Sequence, residues 1–219
     1  MTPFITNPFR FGSSNPPDFE DNFSSDSGWT YVGTVTYNAS GYQNLIFARN
    51  GDTDNGCYHD LTTVSNSGWR LRAKWHLTAK QASGQSSFLG LTSVTGASSE
   101  TQDAIGVSFT TVNNTLFTHD CDGSTIAAGS NSSNAFTTTN GDDYFIQIRR
   151  LTETTMRVEI FPDDTFDTAD ITINDTIPST IQSTTYLKEQ NRAELSNKAG
   201  QSDDWTGDDV QFWDNLDDV

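Results

Sequence analysis

The most regular pattern of apolar and polar positions runs from Asp142 to Asp163, where two alternating stretches flank a polar turn. Apolar residues at every second position share one face of a β-strand, as expected of a strand with one buried side. The inward-facing residues are Tyr144, Ile146, Ile148, Met156, Val158 and Ile160. Hydroxyl groups at 152–155 can bond the backbone of the turn and set the register of the pair. The pattern predicts a β-hairpin whose buried face needs a second layer.

Short apolar runs continue along the chain from Asp18, separated by clusters of Gly, Asn, Ser and Asp. This spacing is typical of an all-β sandwich or barrel, and almost no stretch has the period of a helix. The predicted strands lie at 19–23, 29–37, 45–48, 57–61, 68–77, 87–91, 104–109, 115–119, 144–150, 156–161, 171–173, 185–189 and 210–213. We expect one all-β domain over 18–219.

The stretch 69–77 alternates most cleanly and carries most of its basic residues on one face. Its inward set is Trp69, Leu71, Ala73, Trp75 and Leu77, and its outward set is Arg70, Arg72, Lys74 and His76. Together with Arg149 and Arg157, the outward set forms a basic stripe if the two strands share a sheet. The stripe then either pairs with neighbouring Asp and Glu side chains or binds an anionic glycan.

Composition supports a sandwich and excludes some partners. Hydrophobic residues make up 33% of the 219 residues, but 14 Phe, 5 Trp and 6 Tyr supply large buried areas. The formal net charge of -17 would repel nucleic acid and anionic membrane surfaces. No apolar run approaches the roughly 20 residues that span a bilayer. We therefore expect no nucleic-acid partner and no membrane insertion.

Residues 1–17 differ from the rest of the chain because they alternate Phe with turn formers and are rich in proline. They predict an extended N-terminal arm, which is either a disordered tail or a segment that docks on neighbouring subunits through Phe4, Ile5, Phe9 and Phe11. The first residues also lack the basic and apolar regions of a secretory signal. Either the numbering starts after processing, or the protein leaves the cell by another route, such as release inside a virus particle.

Both cysteines and two of the three histidines occur in mirrored order, as Cys57-Tyr-His59 and His119-Asp-Cys121. Residues two apart share a strand face, so an antiparallel pairing of these strands would bring both pairs together. The pairing would allow a disulfide between Cys57 and Cys121, or a zinc ion held by two thiolates and two imidazoles. Two free, partly buried thiols are the remaining alternative.

Several segments in succession resemble the concanavalin A-like lectin/glucanase superfamily. These segments are 21–24 (Asp-Asn-Phe-Ser), 69–77, 103–109 (Asp-Ala-Ile-Gly-Val-Ser-Phe), 144–161, 186–192 (Tyr-Leu-Lys-Glu-Gln-Asn-Arg) and 207–213 (Gly-Asp-Asp-Val-Gln-Phe-Trp). The resemblance implies a jelly-roll sandwich of two antiparallel sheets in which the first and last strands pair.

The resemblance also implies a structural calcium ion near the paired termini. By position Asp208 corresponds to the side-chain ligand, with Asp21 and Gly41 as companions. The end of the chain suits a hard cation, because 203–219 contains seven aspartates and no basic residue.

Catalytic motifs are absent from the sequence. Laminarinase-like enzymes of the superfamily carry Glu-x-Asp-x-x-Glu on one strand, which places two glutamates on one face. None of the six glutamates begins that spacing, and no Gly-x-Ser-x-Gly elbow occurs. We expect no enzyme, with a glycoside hydrolase that uses carboxylates from separate strands as the alternative.

The sequence therefore favours a non-catalytic, lectin-like protein that binds glycans and is displayed on a larger assembly, outside the cell or on a virion surface. Sugar binding needs aromatic planes beside polar groups, and the candidate aromatics are Tyr58, Phe136, Tyr144 and Trp205. The rival interpretation is structural: a capsid decoration, tail or filament component that uses the sandwich as a building block.

Overall fold

The computed structural model describes residues 16–22, 28–32, 43–46, 55–79, 85–95, 102–110, 115–123, 125–126, 136–139, 141–193 and 204–216. These residues form β-strands and loops. The strands are β1 (Phe19–Asp21), β2 (Thr30–Val32), β3 (Gln43–Ile46), β4 (Asn55–Asp60), β5 (Trp69–Ala79), β6 (Gln85–Thr92), β7 (Ala104–Thr110), β8 (Thr115–Asp122), β9 (Thr125–Ile126), β10 (Phe136–Thr137), β11 (Asp143–Thr152), β12 (Thr155–Phe161), β13 (Ile171–Thr176), β14 (Tyr186–Ala193) and β15 (Asp204–Trp213). Within those ranges, no helix is long and apolar enough to cross a membrane.

The strands form two antiparallel sheets. The terminal sheet, named for the two strands nearest the ends of the chain, has the order β1-β15-β5-β11-β12-β13, and β3 also pairs with β15. The opposite sheet has the order β10-β8-β7-β6-β14-β4-β2, and β9 also pairs with β8. The first and last strands pair with Phe19 opposite Phe212. The predicted all-β sandwich of two antiparallel sheets is confirmed.

The predicted hairpin is formed by β11 and β12, with Ile146 opposite Ile160 and Ile148 opposite Val158. Its turn is held by its own hydroxyls, as expected. The Thr152 and Thr155 hydroxyls lie 2.7 Å apart, and the backbone N–H of Thr154 donates to the Thr152 hydroxyl at 3.2 Å. These bonds fix the register at the position where β11 carries an irregularity after Arg150.

The core lies between the sheets and contains the inward-facing residues of both patterned segments whose side chains are described; the Leu77 side chain lies outside them. The terminal sheet supplies Trp69, Leu71, Ala73, Trp75, Tyr144, Ile146, Ile148, Met156, Val158 and Ile160, and the opposite sheet supplies Leu89, Leu91, Ile105, Val107 and Leu187. Burying each large apolar side chain contributes roughly 1.5–3 kcal/mol. The period of two therefore identified the principal core correctly.

The basic stripe also exists, because β5 and β11 are neighbours in the terminal sheet. Much of it is ion-paired. Asp143 lies 3.2 Å from the Lys74 ammonium and 2.6 Å from the His76 imidazole. On the neighbouring strands, the Arg149 guanidinium contacts the Glu159 carboxylate at 2.6 Å. These contacts agree with the ion-paired alternative for this part of the stripe.

Two carboxylates lie inside the sandwich, where β8 approaches β13. Asp120 is 1% exposed, and its Oδ2 has no hydrogen-bond partner within the described chain. Asp175 is nearly as buried and accepts a hydrogen bond from the Thr118 hydroxyl. Burial, and to a smaller extent the neighbouring charge of Asp175, raise the pKa of Asp120 to about 7. The interior therefore favours a protonated Asp120.

This buried acid is expected to make stability depend on pH. The pKa of Asp120 rises from an ordinary 3.8 to about 7 on folding, so its stabilising contribution is full below about pH 4 and is lost as the pH rises through 7. The slope is about 1.4 kcal/mol per pH unit, or about 4 kcal/mol in total. Asp120→Asn should remove this dependence. As the pH rises from 4 to 7, the unfolding free energy of the variant should therefore increase relative to that of wild type.

Chemical denaturation across that pH range measures the difference. The exposed Asp142→Asn is the charge-matched control and should follow wild type. A difference between Asp120→Asn and wild type that is constant with pH would contradict the assignment.

Candidate functional site

Two of the predicted sugar-binding aromatics pack in or against the core. Tyr144 is 5% exposed, and its hydroxyl accepts from the backbone N–H of Thr139 at 2.6 Å and donates to the Thr139 carbonyl at 3.2 Å. Phe136 packs edge-on against Tyr144, with ring centroids 5.4 Å apart. The prediction of an open platform is wrong for Tyr144, which belongs to the packed interior, and Phe136 is partly buried against the same core.

Tyr58 remains available to a ligand. It is half-buried on β4 and packs edge-on against Tyr186 of the neighbouring β14, with ring centroids 5.8 Å apart. For Trp205, the structure gives the backbone pairing of β15 with Leu77, and its side chain lies outside the described residues.

The predicted juxtaposition of the two Cys/His motifs is wrong. β4 and β8 belong to the same sheet, but β14, β6 and β7 lie between them. At one strand spacing per step, these two strands are therefore about 19 Å apart, and Cys57 and Cys121 are at least as far from each other. Both thiols are free and buried. The mirrored sequence order gave no information on which strands the fold inserts between the two.

The four residues have separate surroundings. Cys57 packs in the main core, whereas Cys121 belongs to a second small cluster with Phe88 and Ala104. His119 is buried, and its Nδ1 lies 2.8 Å from the Ser108 hydroxyl. Burial also raises the pKa of the Cys121 thiol. Neither the predicted disulfide nor the predicted zinc site forms from these residues.

His59 is the member of this set that lies in a pocket. Its ring stacks on Phe19 with centroids 3.9 Å apart, and its Nδ1 lies 2.8 Å from the Gly28 carbonyl. Because a carbonyl only accepts, Nδ1 carries the proton and Nε2 of the neutral ring is an acceptor. The Trp29 ring also packs beside His59, with the two ring centroids 5.9 Å apart. The imidazole is thus held in one orientation by a stack and a hydrogen bond.

The pocket around His59 has a volume of about 330 Å³, within the usual range for small-ligand sites. Three segments distant in sequence contribute to it: β1 with the residue before it, β4 with the loop that follows it, and the end of β15 with the residues after it. Its lining includes Asp18, Phe19, His59, Asp60, Asp214 and Asn215. We refer to it as the His59 pocket.

Backbone donors hold one oxygen of each of two carboxylates in the His59 pocket. The N–H of Asp214 donates to Asp18 Oδ2 at 2.7 Å, and the N–H of Thr62 donates to Asp60 Oδ1 at 2.7 Å. The second oxygens, Asp18 Oδ1 and Asp60 Oδ2, have no hydrogen-bond donor among the residues described. They are fixed acceptors for a ligand rich in hydroxyl groups.

Asp214 has a different role, since it organises the loop after β4. Its carboxylate accepts from the backbone N–H of Ser65 at 3.0 Å and from the Ser65 hydroxyl at 3.3 Å. Asn215 completes the contact, with its Oδ1 2.6 Å from the same hydroxyl. This part of the pocket is therefore pre-formed. The sequence gave no signal for it, because Asp18, Asp60 and Asp214 are far apart along the chain.

Comparison with known proteins identifies solved structures that have a similar fold. No family model and no curated protein matches the chain. SO2946 from Shewanella oneidensis MR-1, a protein of unknown function, gives a TM-score of 0.61 at 14% identity over 100% of both chains. A protein described with the endo-acting O-glycanases by which human gut bacteria initiate mucin breakdown gives 0.61 at 14% identity, covering 91% of this chain and 99% of that one.

A third similar structure is the exoplasmic/lumenal domain of VIP36 in its Ca²⁺/Man3GlcNAc-bound form. It gives a TM-score of 0.58 at 11% identity and covers 92% of this chain and 90% of its own. The chain has the concanavalin A-like lectin fold. At these identities the likeness establishes the architecture, and the choice of ligand depends on the residues of this chain.

In this fold, two of the three residues predicted to bind calcium, Asp21 and Asp208, lie on the paired terminal strands. Asp21 is opposite Val210, and Asp208 is two positions further along β15, or about 7 Å. The Asp21 carboxylate accepts a hydrogen bond from the Trp29 indole at 2.8 Å. The Asp208 side chain and all of Gly41 lie outside the described residues. Among the residues whose side chains are described, no group of three or more His, Cys, Asp or Glu could hold a metal ion.

The assignment of the cysteines can be checked by thiol titration. Protein unfolded in denaturant without reductant should expose two reactive thiols per chain, and native protein should react much more slowly because both residues are buried. Mass spectrometry of the alkylated protein provides the count. Fewer than two thiols in freshly purified protein would indicate a disulfide and contradict the strand order.

Proposed function

We propose that this protein is a non-catalytic lectin that binds a glycan in the His59 pocket. The observation that carries the proposal is the arrangement of the Asp18 and Asp60 acceptor oxygens around an imidazole stacked on Phe19, in a volume suited to one or two sugar units. Carboxylate and imidazole acceptors bind sugar hydroxyls, and the ring edges supply apolar contact. The sugar complex of VIP36, a protein of the same fold, supports this class of ligand.

Binding without catalysis is part of the proposal. The chain lacks the Glu-x-Asp-x-x-Glu spacing that places a nucleophile and an acid on one strand. Asp18 and Asp60 each accept a backbone N–H through one oxygen, which leaves the other oxygen to accept a hydrogen bond from a sugar hydroxyl. The alternative is a glycoside hydrolase with carboxylates from separate strands. It is supported by the likeness to the protein described with the O-glycanases.

We further propose that calcium stabilises the paired termini. VIP36 has been seen both with Ca²⁺ and in a metal-free form, so a metal is compatible with this fold. Asp208 would supply a carboxylate oxygen, with Asp21 and Gly41 nearby. The ion would brace β1 against β15, and these are the strands that position Asp18 and Asp214 in the His59 pocket.

We also propose that the protein is displayed outside the cell or on a virion surface, as part of a larger assembly. The N-terminal arm would dock on neighbouring subunits. Residues 1–15 of the arm lie outside the described residues. A purely structural role in a capsid, tail or filament is the rival function, and it requires self-association but no glycan.

Glycan binding is tested on a glycan array, with the full chain and with His59→Ala and Asp60→Asn variants. Each variant should weaken binding about tenfold to a hundredfold, because each removes a hydrogen-bond partner worth about 1.5–3 kcal/mol. Asp142→Asn, which removes an exposed carboxylate outside the pocket, is the control and should bind like wild type. Binding should also weaken after chelation if calcium braces the termini.

Three outcomes would contradict the proposal. Binding that both pocket variants retain would place the site elsewhere. The absence of binding to any glycan would favour the structural role. Release of shortened oligosaccharides during incubation would show that the protein is a hydrolase.

The docking role of the arm is tested by deleting residues 1–17 and measuring mass by size-exclusion chromatography with light scattering. If the arm joins subunits, wild type should be oligomeric and the deletion variant monomeric at the same concentration. Glycan binding per chain should persist, since the His59 pocket begins at Asp18. Unchanged association after deletion would refute the docking role.

A further inference from the structure

Two backbone donors at the His59 pocket are already bonded to its carboxylates. The N–H of Asp214 donates to Asp18 Oδ2 at 2.7 Å. The N–H of Thr62 donates to Asp60 Oδ1 at 2.7 Å. Each of these N–H groups is used within the protein, so neither is left to donate to a ligand.

The side-chain donors of the pocket are largely engaged in the same way. The protonated Nδ1 of His59 donates to the Gly28 carbonyl at 2.8 Å. The Asn215 amide donates from Nδ2 to Asp214 Oδ2 at 3.1 Å. The Thr63 hydroxyl and the second Asn215 N–H are the remaining side-chain donors of the lining, as far as its residues are described. A ligand that needs several donors from the protein is therefore poorly matched.

The acceptors of the pocket, in contrast, remain open. Asp18 Oδ1 and Asp60 Oδ2 have no donor within the described ranges of the chain, and both side chains are exposed, so a ligand can reach them. Nε2 of the neutral His59 ring is a third acceptor. The pocket thus selects a ligand that supplies hydrogen-bond donors.

The chemistry of these acceptors favours a donor that is positively charged. The described residues of the lining include Asp18, Asp60 and Asp214 but no Lys or Arg. A neutral hydroxyl gains only the hydrogen bond from a carboxylate, whereas a cationic donor forms a shorter, charge-assisted bond and gains Coulombic attraction as well. The cation is either a metal ion or a charged group on a larger molecule.

A charged group on a sugar ring fits the pocket better than a metal ion does. In the part of the chain whose side chains are described, His, Cys, Asp and Glu form no group of three or more that could hold a metal ion. The pocket volume of about 330 Å³ also exceeds that of a single ion, and Phe19, Leu61 and Phe212 give its lining an apolar part. A sugar ring can fill this volume and contact the apolar side chains.

We propose that the glycan of the His59 pocket is an amino sugar with a free amine, an inference that rests on the glycan-binding function proposed above. An ammonium group has three donors, no acceptor and a positive charge, which matches the open oxygens of Asp18 and Asp60. An N-acetyl group or a carboxylate instead brings acceptors to a pocket with few donors, and the carboxylate also meets like charge. Sugars that carry those groups should bind more weakly.

The test compares three β-1,4-linked disaccharides that differ in the group at carbon 2 of each ring: the glucosamine dimer, cellobiose and the N-acetylglucosamine dimer. Calorimetric titration of the full chain at neutral pH should give about tenfold tighter binding of the glucosamine dimer than of cellobiose. One ammonium can contact two carboxylates, and each contact at an open site contributes a few-fold. The N-acetylglucosamine dimer should bind most weakly. Added salt should weaken binding of the glucosamine dimer alone.

Asp18→Asn combined with Asp60→Asn should reduce the preference for the amine about tenfold, to near equality with cellobiose. Asn has the same shape and keeps an oxygen that can accept the backbone N–H, so the local structure is retained. Because the whole chain is acidic and attracts cations, the matched control is Asp142→Asn with Asp170→Asn, which removes two exposed carboxylates outside the pocket. The control should keep the preference. Asp60→Asn alone is a second test if the double variant unfolds.

Three results would overturn the inference. If cellobiose or the N-acetylglucosamine dimer binds as tightly as the glucosamine dimer and His59→Ala loses that binding, the amine preference is refuted while the pocket remains a glycan site. An equal loss of preference in the Asp142 and Asp170 control would indicate general attraction to an acidic protein. Absence of binding to the glucosamine dimer refutes the inference as well, and the glycan array then decides separately whether the pocket binds any glycan.

Discussion

The structure depends on the last strand, β15, which hydrogen-bonds to β1 on one side and to β5 on the other. This pairing closes the terminal sheet with residues from both ends of the domain. It also continues beyond the strands, because the N–H of Asp18 donates to the Phe212 carbonyl at 2.8 Å and the N–H of Asp214 donates back to the Asp18 carboxylate. The His59 pocket is assembled on these bonds, so the same contacts hold the sheet and the candidate site.

Local patterns in the sequence predicted the fold well, whereas contacts between distant segments were not accessible. The alternation around Ile146 and Leu71 identified buried faces, since a period of two reports directly on strand faces. The same alternation placed Tyr144 inward, and its assignment to a sugar-binding platform was wrong because its buried hydroxyl is bonded to the Thr139 backbone. The prediction that Cys57 and Cys121 lie together was wrong because strand order within a sheet is set by the packing of the whole chain.

The candidate site was found only in part for the same reason. His59 was singled out for its place in a cysteine-containing motif, yet it lies in a pocket whose other residues, Asp18 and Asp214, belong to the terminal strands. These carboxylates are two among many in an acidic chain. Their role follows from the pairing of β1 with β15, which brings the two ends of the domain together.

We propose that the protein binds a glycan in the His59 pocket. The most direct test is an NMR titration that follows the ring protons of the three histidines while the tightest-binding array glycan is added. We expect the His59 resonances to shift with the glycan concentration. Those of His76, bonded to Asp143, and of the buried His119 should stay in place. Saturable glycan binding that leaves the His59 resonances unmoved would contradict it.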